Sequence, residues 1–127
     1  MKVLNLTQHK LTPEQVDEVK DKYGRVFRTP RSTQESILEL LTFSSLPSKE
    51  EIDERAKKLA HLCLCSLCEG AVIGGATFLM GPLERELKAR KIKPLYAFSL
   101  RESIEEVSED GTVLKKSIFK HLGFIEA

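Results

Sequence analysis

The sequence predicts an α/β fold with a mostly parallel sheet, flanking helices and a C-terminal antiparallel hairpin. Short apolar, strand-like segments alternate with helix-like segments over residues 2–99, which is the order typical of a parallel sheet. Asp110-Gly111 then separates two runs of alternating polarity, a strong signal for a hairpin. At 127 residues the chain is long enough to bury a core, and we expect one domain over residues 1–127.

The first helix has a clear start signal. It follows a strand at residues 2–6 and begins at the sequence TPEQ. Thr12 can cap the helix, Pro13 suits the first helical position, and Gln15 can reach back to complete a capping box. The sequence therefore places a helix directly after the polar residues that end the first strand.

Capping signals, apolar runs and turn residues predict the remaining elements. In chain order, they are a helix end at Gly24, a short strand at residues 25–28, a helix from the capping box Ser32-x-x-Glu35 to Leu41, a helix from the capping box Ser48-x-x-Glu51 to near Cys68, a buried strand at residues 70–73, a helix over residues 77–90 and a buried strand at residues 94–99. Pro82 indicates a kink or a late start in the 77–90 helix. In the hairpin, a two-residue turn would pair Val107 with Leu114 and Glu105 with Lys116.

Charge and hydropathy exclude several classes of function. The chain has 20 basic and 19 acidic residues, so it lacks the broad basic surface that duplex DNA requires. Its longest uncharged stretch, residues 70–83, is too short and too rich in glycine to span a bilayer. No apolar signal segment follows Met1-Lys2. We expect a cytoplasmic protein that has no membrane partner and does not bind duplex DNA.

The three cysteines, Cys63, Cys65 and Cys68, lie in one short segment. Their odd number argues against a disulfide framework. Cys63 continues the apolar stripe of the long helix, and Cys65 lies about 200° round that helix from it, so the two could not hold one metal ion. We therefore predict a structural role for Cys63 and no metal or other cofactor. No Cys–His pairing is evident.

Polar residues follow three predicted strands. They are Thr7, Gln8 and His9 after the first strand, Gly74, Gly75 and Thr77 after the 70–73 strand, and Ser99 and Arg101 after the 94–99 strand. Ligands of open α/β sheets bind outside the carboxyl ends of the parallel strands. If the three strands are parallel, these residues form a shared site at one edge of the sheet.

The chemistry of these residues favours a phosphate-bearing small ligand, such as a nucleotide. Gly74-Gly75 would let the backbone approach a ligand closely, and the N-terminus of the following helix favours an anion. Arg101 can hold phosphate through its fork of donors, and His9 can transfer a proton near neutral pH.

Structural interpretations of the same residues remain open. The glycine pair can be turn geometry, because it lacks the context of a nucleotide-binding motif. Thr77 can cap its helix, His9 can hydrogen-bond the loop, and Arg101 can pair with neighbouring carboxylates. His121 can be a half-buried sheet residue.

The strand ending in TQH, the following LTPEQ, the Gly74-Gly75 turn and the segment YAFSLRES resemble small CRISPR-associated, Rossmann-like (CARF-like) ring nucleases. The resemblance implies a Rossmann-like homodimer that binds a cyclic oligoadenylate second messenger in antiviral defence. It also implies metal-independent cleavage, in which a ribose 2′-hydroxyl attacks the adjacent phosphate. Gln8 and His9 would then lie near the ribose or scissile phosphate, Gly74, Gly75 and Thr77 near the phosphates, and Arg101 on the developing charge.

Two functions of different kinds follow from these residues. The first is binding and cleavage of a cyclic or short oligonucleotide, with His9 and Arg101 as catalytic residues and Thr7, Gln8, Gly74, Gly75, Thr77 and Ser99 as ligand-binding residues. The second is a non-enzymatic accessory module that binds a nucleotide or another anion in the same place. A homodimer is expected because one small chain covers only part of a symmetric ring ligand.

Overall fold

The chain folds into four helices and one five-stranded sheet. In the computed structural model the elements are, in order, β1 (Lys2–Leu6), α1 (Pro13–Lys22), β2 (Arg25–Val26), α2 (Arg31–Leu41), α3 (Lys49–Cys65), β3 (Gly70–Ile73), α4 (Thr77–Ala89), β4 (Lys93–Val107) and β5 (Val113–Glu126). The structure describes residues 1–127, except the side chains of residues 101, 102, 104, 116, 117 and 119. Across this described part, every helix is too short or too polar to cross a membrane.

The sheet has the strand order β2-β1-β3-β4-β5. β1 pairs in parallel with β2 on one side and with β3 on the other, and β3 pairs in parallel with β4. β5 is antiparallel to β4 and forms the edge of the sheet. The predicted α/β fold with a mostly parallel sheet and an antiparallel hairpin is therefore confirmed.

Helices cover both faces of the sheet, because side chains of alternating strand residues point to opposite faces. Leu4, Leu6 and Ile73 face α2, α3 and α4, where they meet a cluster that includes Leu59 and Leu83. On the other face, Val3, Val72 and Leu95 pack with Val19 of α1. Burying each large aliphatic side chain contributes roughly 1.5–3 kcal/mol, so these two layers hold the sheet rigid up to its edge.

The predicted helix starts are confirmed to different degrees. Thr12 and Gln15 form the full capping box at the start of α1. Ser48 accepts a hydrogen bond from the backbone nitrogen of Glu51, but the reciprocal bond is missing because the Glu51 carboxylate binds Arg55 instead. The prediction for α2 is wrong: the helix begins at Arg31, before Ser32, because the carbonyl of the extended Pro30 already closes the first turn.

Two further helix boundaries differ from the prediction. α3 ends at Cys65, before Cys68, because Leu67 adopts a left-handed conformation with φ of 57° and turns the chain back. α4 begins at Thr77 with Pro82 inside it, so a late start at Pro82 is wrong. The α4 helix therefore starts directly at the end of the glycine turn.

β4 is much longer than the predicted strand at residues 94–99. Only its first residues, Lys93–Tyr96, pair with β3, whereas β5 pairs along β4 as far as Val107. The backbone hydrogen bonds to β5 carry the strand beyond the edge where β1 and β3 end. The expected strand end at Ser99 is therefore wrong, and residues 97–107 belong to a two-stranded ribbon with β5.

The hairpin register is shifted by one residue from the predicted one. Val107 pairs with Val113, and Glu105 pairs with Lys115. The cause is a three-residue loop: the Ser108 backbone nitrogen donates to the Thr112 carbonyl, the Ser108 carbonyl accepts a hydrogen bond from the Gly111 nitrogen, and Gly111 takes a φ of 83°. The Asp110 carboxylate, which accepts hydrogen bonds from the Ser108 hydroxyl and the Thr112 backbone nitrogen, holds this longer turn.

Candidate functional site

A cleft of about 290 Å³ lies at the carboxyl edge of the sheet. Leu6, Ile73 and Tyr96 are aligned in neighbouring strands, and β1 and β3 end at this level. From β1 the chain passes through α1 to β2 on one side, while β3 lies on the other side. The edge between β1 and β3 is thus the point where the strand order reverses, which is where α/β sheets bind ligands.

Five of the residues predicted to form a site line this cleft together: Thr7, Gln8, His9, Gly74 and Gly75. They come from two segments about 65 positions apart in the sequence, which parallel pairing of β1 and β3 brings side by side. Other lining residues, which the sequence analysis did not single out for the site, are Lys10, Leu11, Gln15, Val72, Ile73, Tyr96 and Ala97.

Asn5 holds the loop that carries the Thr7-Gln8-His9 sequence. Its side-chain oxygen accepts a hydrogen bond from the Thr7 backbone nitrogen at 3.0 Å, and its amide donates to the His9 carbonyl at 2.7 Å. On the other side of the loop, Gln8 Nε2 lies 3.4 Å from the Leu41 carbonyl of α2. Hydrogen bonds to Asn5 and to the Leu41 carbonyl therefore hold the loop in place. The signal for Asn5 is a polar residue inside the apolar run VLNL of the first strand.

The two glycines of the turn after β3 have different roles. Gly75 has a φ of +129°, a conformation that side-chain-bearing residues rarely adopt. Gly74 has no such need, and a Cβ atom there would lie 3.7 Å from Thr7 Cγ2, in ordinary contact. Gly75 is therefore required by the backbone, whereas Gly74 leaves space at the floor of the cleft.

Lys10, Gln15 and Tyr96 give the cleft its remaining polar character. Lys10 is exposed and brings a positive charge to the rim. The Tyr96 hydroxyl donates to Glu84 Oε2 at 2.8 Å, and burial together with this carboxylate raises the pKa of Tyr96 to about 12. The phenol therefore stays neutral and is held in place. It can form a wall of the site, with its hydroxyl hydrogen directed to Glu84.

Two predicted site residues, Thr77 and Ser99, do not line the cleft. Thr77 is the exposed first residue of α4, and the helix is capped by Ala76 without a side-chain hydrogen bond, so Thr77 as a cap is wrong. Ser99 lies further along β4 and lines a neighbouring pocket. The side chain of Arg101 lies outside the described residues.

A larger groove of about 800 Å³ runs between α2 and α3. Most of its charged side chains are already paired: Arg55 with Glu51, Lys58 with Glu54, and Arg90 with Glu86. The groove thus has few free groups to offer a charged ligand. The strand-end cleft is smaller, but it has unpaired donors and a glycine turn that leads into α4.

The cysteines separate into buried and exposed groups. Cys63 and Cys68 are buried, as predicted for Cys63, and burial raises the pKa of Cys63 to about 12. Cys65 is exposed, and its Sγ lies 3.3 Å from His61 Nε2 one turn earlier in α3. The expectation of no Cys–His pairing is therefore wrong. No cluster of three or more potential metal ligands occurs among the residues that the structure describes.

The fold and the cleft define a small α/β protein with a candidate site at the strand-order reversal. The chain belongs to the Uncharacterized protein MJ1673 family, whose family model matches residues 1–125. Comparison with curated proteins gives no match, and comparison with solved structures gives none. What the cleft binds is therefore inferred from its own residues.

Proposed function

We propose that the strand-end cleft binds the phosphate of a small nucleotide. The observation that carries this proposal is the convergence of the loop containing Thr7, Gln8 and His9 with the Gly74-Gly75 turn. Among the first backbone N–H groups of α4, that of Leu79 donates to the Ala76 carbonyl, whereas those before it have no acceptor within the helix and favour an anion at that turn. Lys10, which also lines the cleft, adds a positive charge.

The finer proposal is that the nucleotide is a cyclic oligoadenylate and that the sheet is Rossmann-like. The resemblance of TQH, LTPEQ and YAFSLRES to ring nucleases supports the ligand class. The strand order β2-β1-β3-β4, with its reversal beside β1, supports the description of the sheet. In this proposal the adenylate ring lies over the cleft, with one phosphate at Gly74-Gly75.

The chemistry proposed for this site is phosphodiester cleavage without a metal ion. The ribose 2′-hydroxyl attacks the adjacent phosphorus, the bond to the 5′ oxygen breaks, and the products carry a 2′,3′-cyclic phosphate and a 5′-hydroxyl. His9 lies in the cleft wall and is the candidate to move a proton to or from the reacting oxygens. Arg101 stays a candidate for the developing charge on sequence grounds.

A non-enzymatic binding module is the second candidate. His9 is exposed, and its ring forms no hydrogen bond with any residue in the described part of the chain. Histidines that act as bases are usually oriented by a hydrogen bond from the second ring nitrogen. This observation favours binding without turnover, with the same cleft serving as a sensor site.

The ring ligand also leads us to propose a homodimer. A cyclic oligoadenylate has rotational symmetry, and two-fold dimers are the commonest assembly. Two clefts related by a two-fold axis would contact equivalent parts of one ring. Light scattering at micromolar concentration tests this, and a monomer both with and without the ligand would contradict it.

One experiment separates the two functions. The purified protein is mixed with cyclic tetra-adenylate, with and without EDTA; calorimetry measures binding, and chromatography measures linear products. His9→Ala is compared with His61→Ala, which removes another exposed histidine on α3, away from the cleft. If the chain is an enzyme, we expect EDTA-resistant cleavage that His9→Ala abolishes and His61→Ala preserves.

The other outcomes are equally decisive. Binding without products supports the sensor module. Cleavage that survives His9→Ala removes His9 from the mechanism. No binding of cyclic tetra-adenylate contradicts the finer proposal, and no binding of any adenine nucleotide contradicts the proposed function of the cleft.

A further inference from the structure

A second pocket, of about 350 Å³, lies between the start of α1 and the β4–β5 ribbon. Its polar lining comes from two separate parts of the chain. The polar residues are Thr12, Glu14 and Gln15 from α1, and Ser99, Lys120 and His121 from the ribbon. The first cleft is near the lower limit of the 300–1,000 Å³ that is typical of small-molecule sites, so an adjoining pocket would extend the space for a ligand.

His121 is the buried polar group in the wall of this second pocket. Its side chain is 8% exposed, and its Nε2 lies 2.8 Å from Glu18 Oε2. Its Nδ1 is buried and has no hydrogen-bond partner among the described residues. Leaving a buried polar atom unpaired costs roughly 1–3 kcal/mol, so a ligand group that pairs with Nδ1 would be stabilised at this pocket wall.

The contact with Glu18 shows which ring nitrogen of His121 is left without a hydrogen-bond partner. Burial raises the pKa of Glu18, but hydrogen bonds from Lys22 and His121 outweigh it, and the net pKa is lowered. The carboxylate is therefore ionised at neutral pH and accepts a hydrogen bond from Nε2. Nδ1 of His121 is then the ring nitrogen that is left for a partner in the second pocket.

Gln15 joins the second pocket to the strand-end cleft, because it lines both. Its side-chain oxygen accepts a hydrogen bond from the Thr12 backbone nitrogen at 2.9 Å, which fixes the orientation of the amide. The amide nitrogen then remains as a donor with no acceptor in the described part of the chain. A ligand that passes from one pocket to the other would meet this donor between them.

We propose that the second pocket binds a second nucleotide unit of the same ligand, so the ligand is a dinucleotide or a longer oligonucleotide. This inference rests on the proposed function of the strand-end cleft. The second phosphate lies between Gln15 and Lys120, whose ammonium is the exposed cation of this pocket. A sugar hydroxyl, which can both donate and accept a hydrogen bond, pairs with His121 Nδ1.

Calorimetry with two probes tests the subsite. The probes are adenosine 5′-monophosphate, which fills one pocket, and the linear dinucleotide pApA, which can reach both. The variant is Lys120→Ala, and its matched control is Lys115→Ala. Lys115 is an exposed lysine nearer the hairpin loop, and it lies opposite Glu105. We expect pApA to bind at least about tenfold tighter than the mononucleotide, the energy of one charged hydrogen bond.

In Lys120→Ala we expect the affinity for pApA to fall about tenfold, with the affinity for the mononucleotide unchanged. Lys115→Ala should change neither. Equal affinities of the wild type for the two probes would overturn the subsite but leave the strand-end cleft standing. An equal loss in both lysine variants would also overturn it, whereas a wild type that binds neither probe contradicts the cleft and the subsite together.

Discussion

His121 Nε2 lies 2.8 Å from Glu18 Oε2, so the edge strand β5 is joined to α1 across 103 positions of sequence. The same carboxylate accepts a hydrogen bond from Lys22 at 2.9 Å through its other oxygen. This contact holds the start of the β4–β5 ribbon against α1, the helix whose first turn carries Gln15. It therefore positions one wall of both pockets.

Glu18→Ala should lower the free energy of unfolding at pH 7 by about 1–3 kcal/mol, because it leaves the buried His121 Nε2 without its acceptor. The pKa of Glu18 is lowered from 4.5 in the folded protein. A lowered carboxyl pKa gives stability that is present above pH 4.5 and is lost as the pH falls through the folded value. Urea denaturation at pH 7 and at pH 3.5 measures the difference between wild type and variant.

The control for this prediction is Lys22→Ala, which removes the exposed partner and should have a much smaller effect. The difference in the free energy of unfolding between wild type and Glu18→Ala should be smaller at pH 3.5 than at pH 7. If this difference is as large at pH 3.5 as at pH 7, the variant is destabilised by lost packing and not by loss of the ionised contact.

Thiol labelling should distinguish the three cysteines. Cys65 is exposed, whereas Cys63 and Cys68 are buried, and burial raises the pKa of both buried thiols. Since the thiolate is the reactive form, one thiol of the native protein should react quickly with a disulfide reagent, and all three should react in denaturant. Cys65→Ser should remove the fast reaction; two fast thiols in the native wild type would contradict the buried placement.

Replacing each glycine of the turn by alanine should have different effects on stability and on nucleotide binding. Gly75→Ala forces a side chain into a φ of +129° and should destabilise the fold by about 1–3 kcal/mol. Gly74→Ala meets only ordinary contact with Thr7, so stability should hardly change while the new methyl group weakens nucleotide binding. Thermal melting and calorimetry measure the two effects. Unchanged affinity in Gly74→Ala would mean that no phosphate approaches this backbone.

Gln15→Glu tests the effect of a negative charge on ligand binding without loss of the capping box. A glutamate oxygen can still accept the hydrogen bond from the Thr12 backbone nitrogen, so the capping box and the fold should be retained. The new negative charge stands between the two pockets and should weaken binding of an anionic nucleotide about tenfold or more. Gln34→Glu makes the same change on α2, outside both pockets, and serves as the control. Equal effects of the two variants would indicate a general charge effect.

The sequence predicted the parallel sheet and most helix starts because those signals are local. A capping box such as Thr12 to Gln15 acts within one turn, and buried strands such as residues 70–73 stand out by composition. The hairpin register depends on loop length, which the Asp110 side chain sets by binding Ser108 and Thr112. The length of β4 depends on pairing with β5, a contact between distant segments that no local pattern shows.

The sequence predicted the site residues that directly follow paired parallel strands. It did not predict those whose position depends on contacts between distant segments. Thr7 and Gly74 come together because both follow parallel strands that pair with each other. Asn5 was missed because its role is to hydrogen-bond the next loop, and Tyr96 was missed because it becomes a wall only when β4 passes the cleft. Ser99 was placed at a strand end that the long ribbon removes.

The most direct test of the account is a titration of the isotope-labelled protein with cyclic tetra-adenylate, and in parallel with adenosine 5′-monophosphate, followed by backbone amide chemical shifts. We expect the largest shifts at residues 7–10 and 74–78, the two segments that meet at the cleft. Largest shifts in the groove between α2 and α3, around Lys58 and His61, or no shifts with either nucleotide, would contradict it.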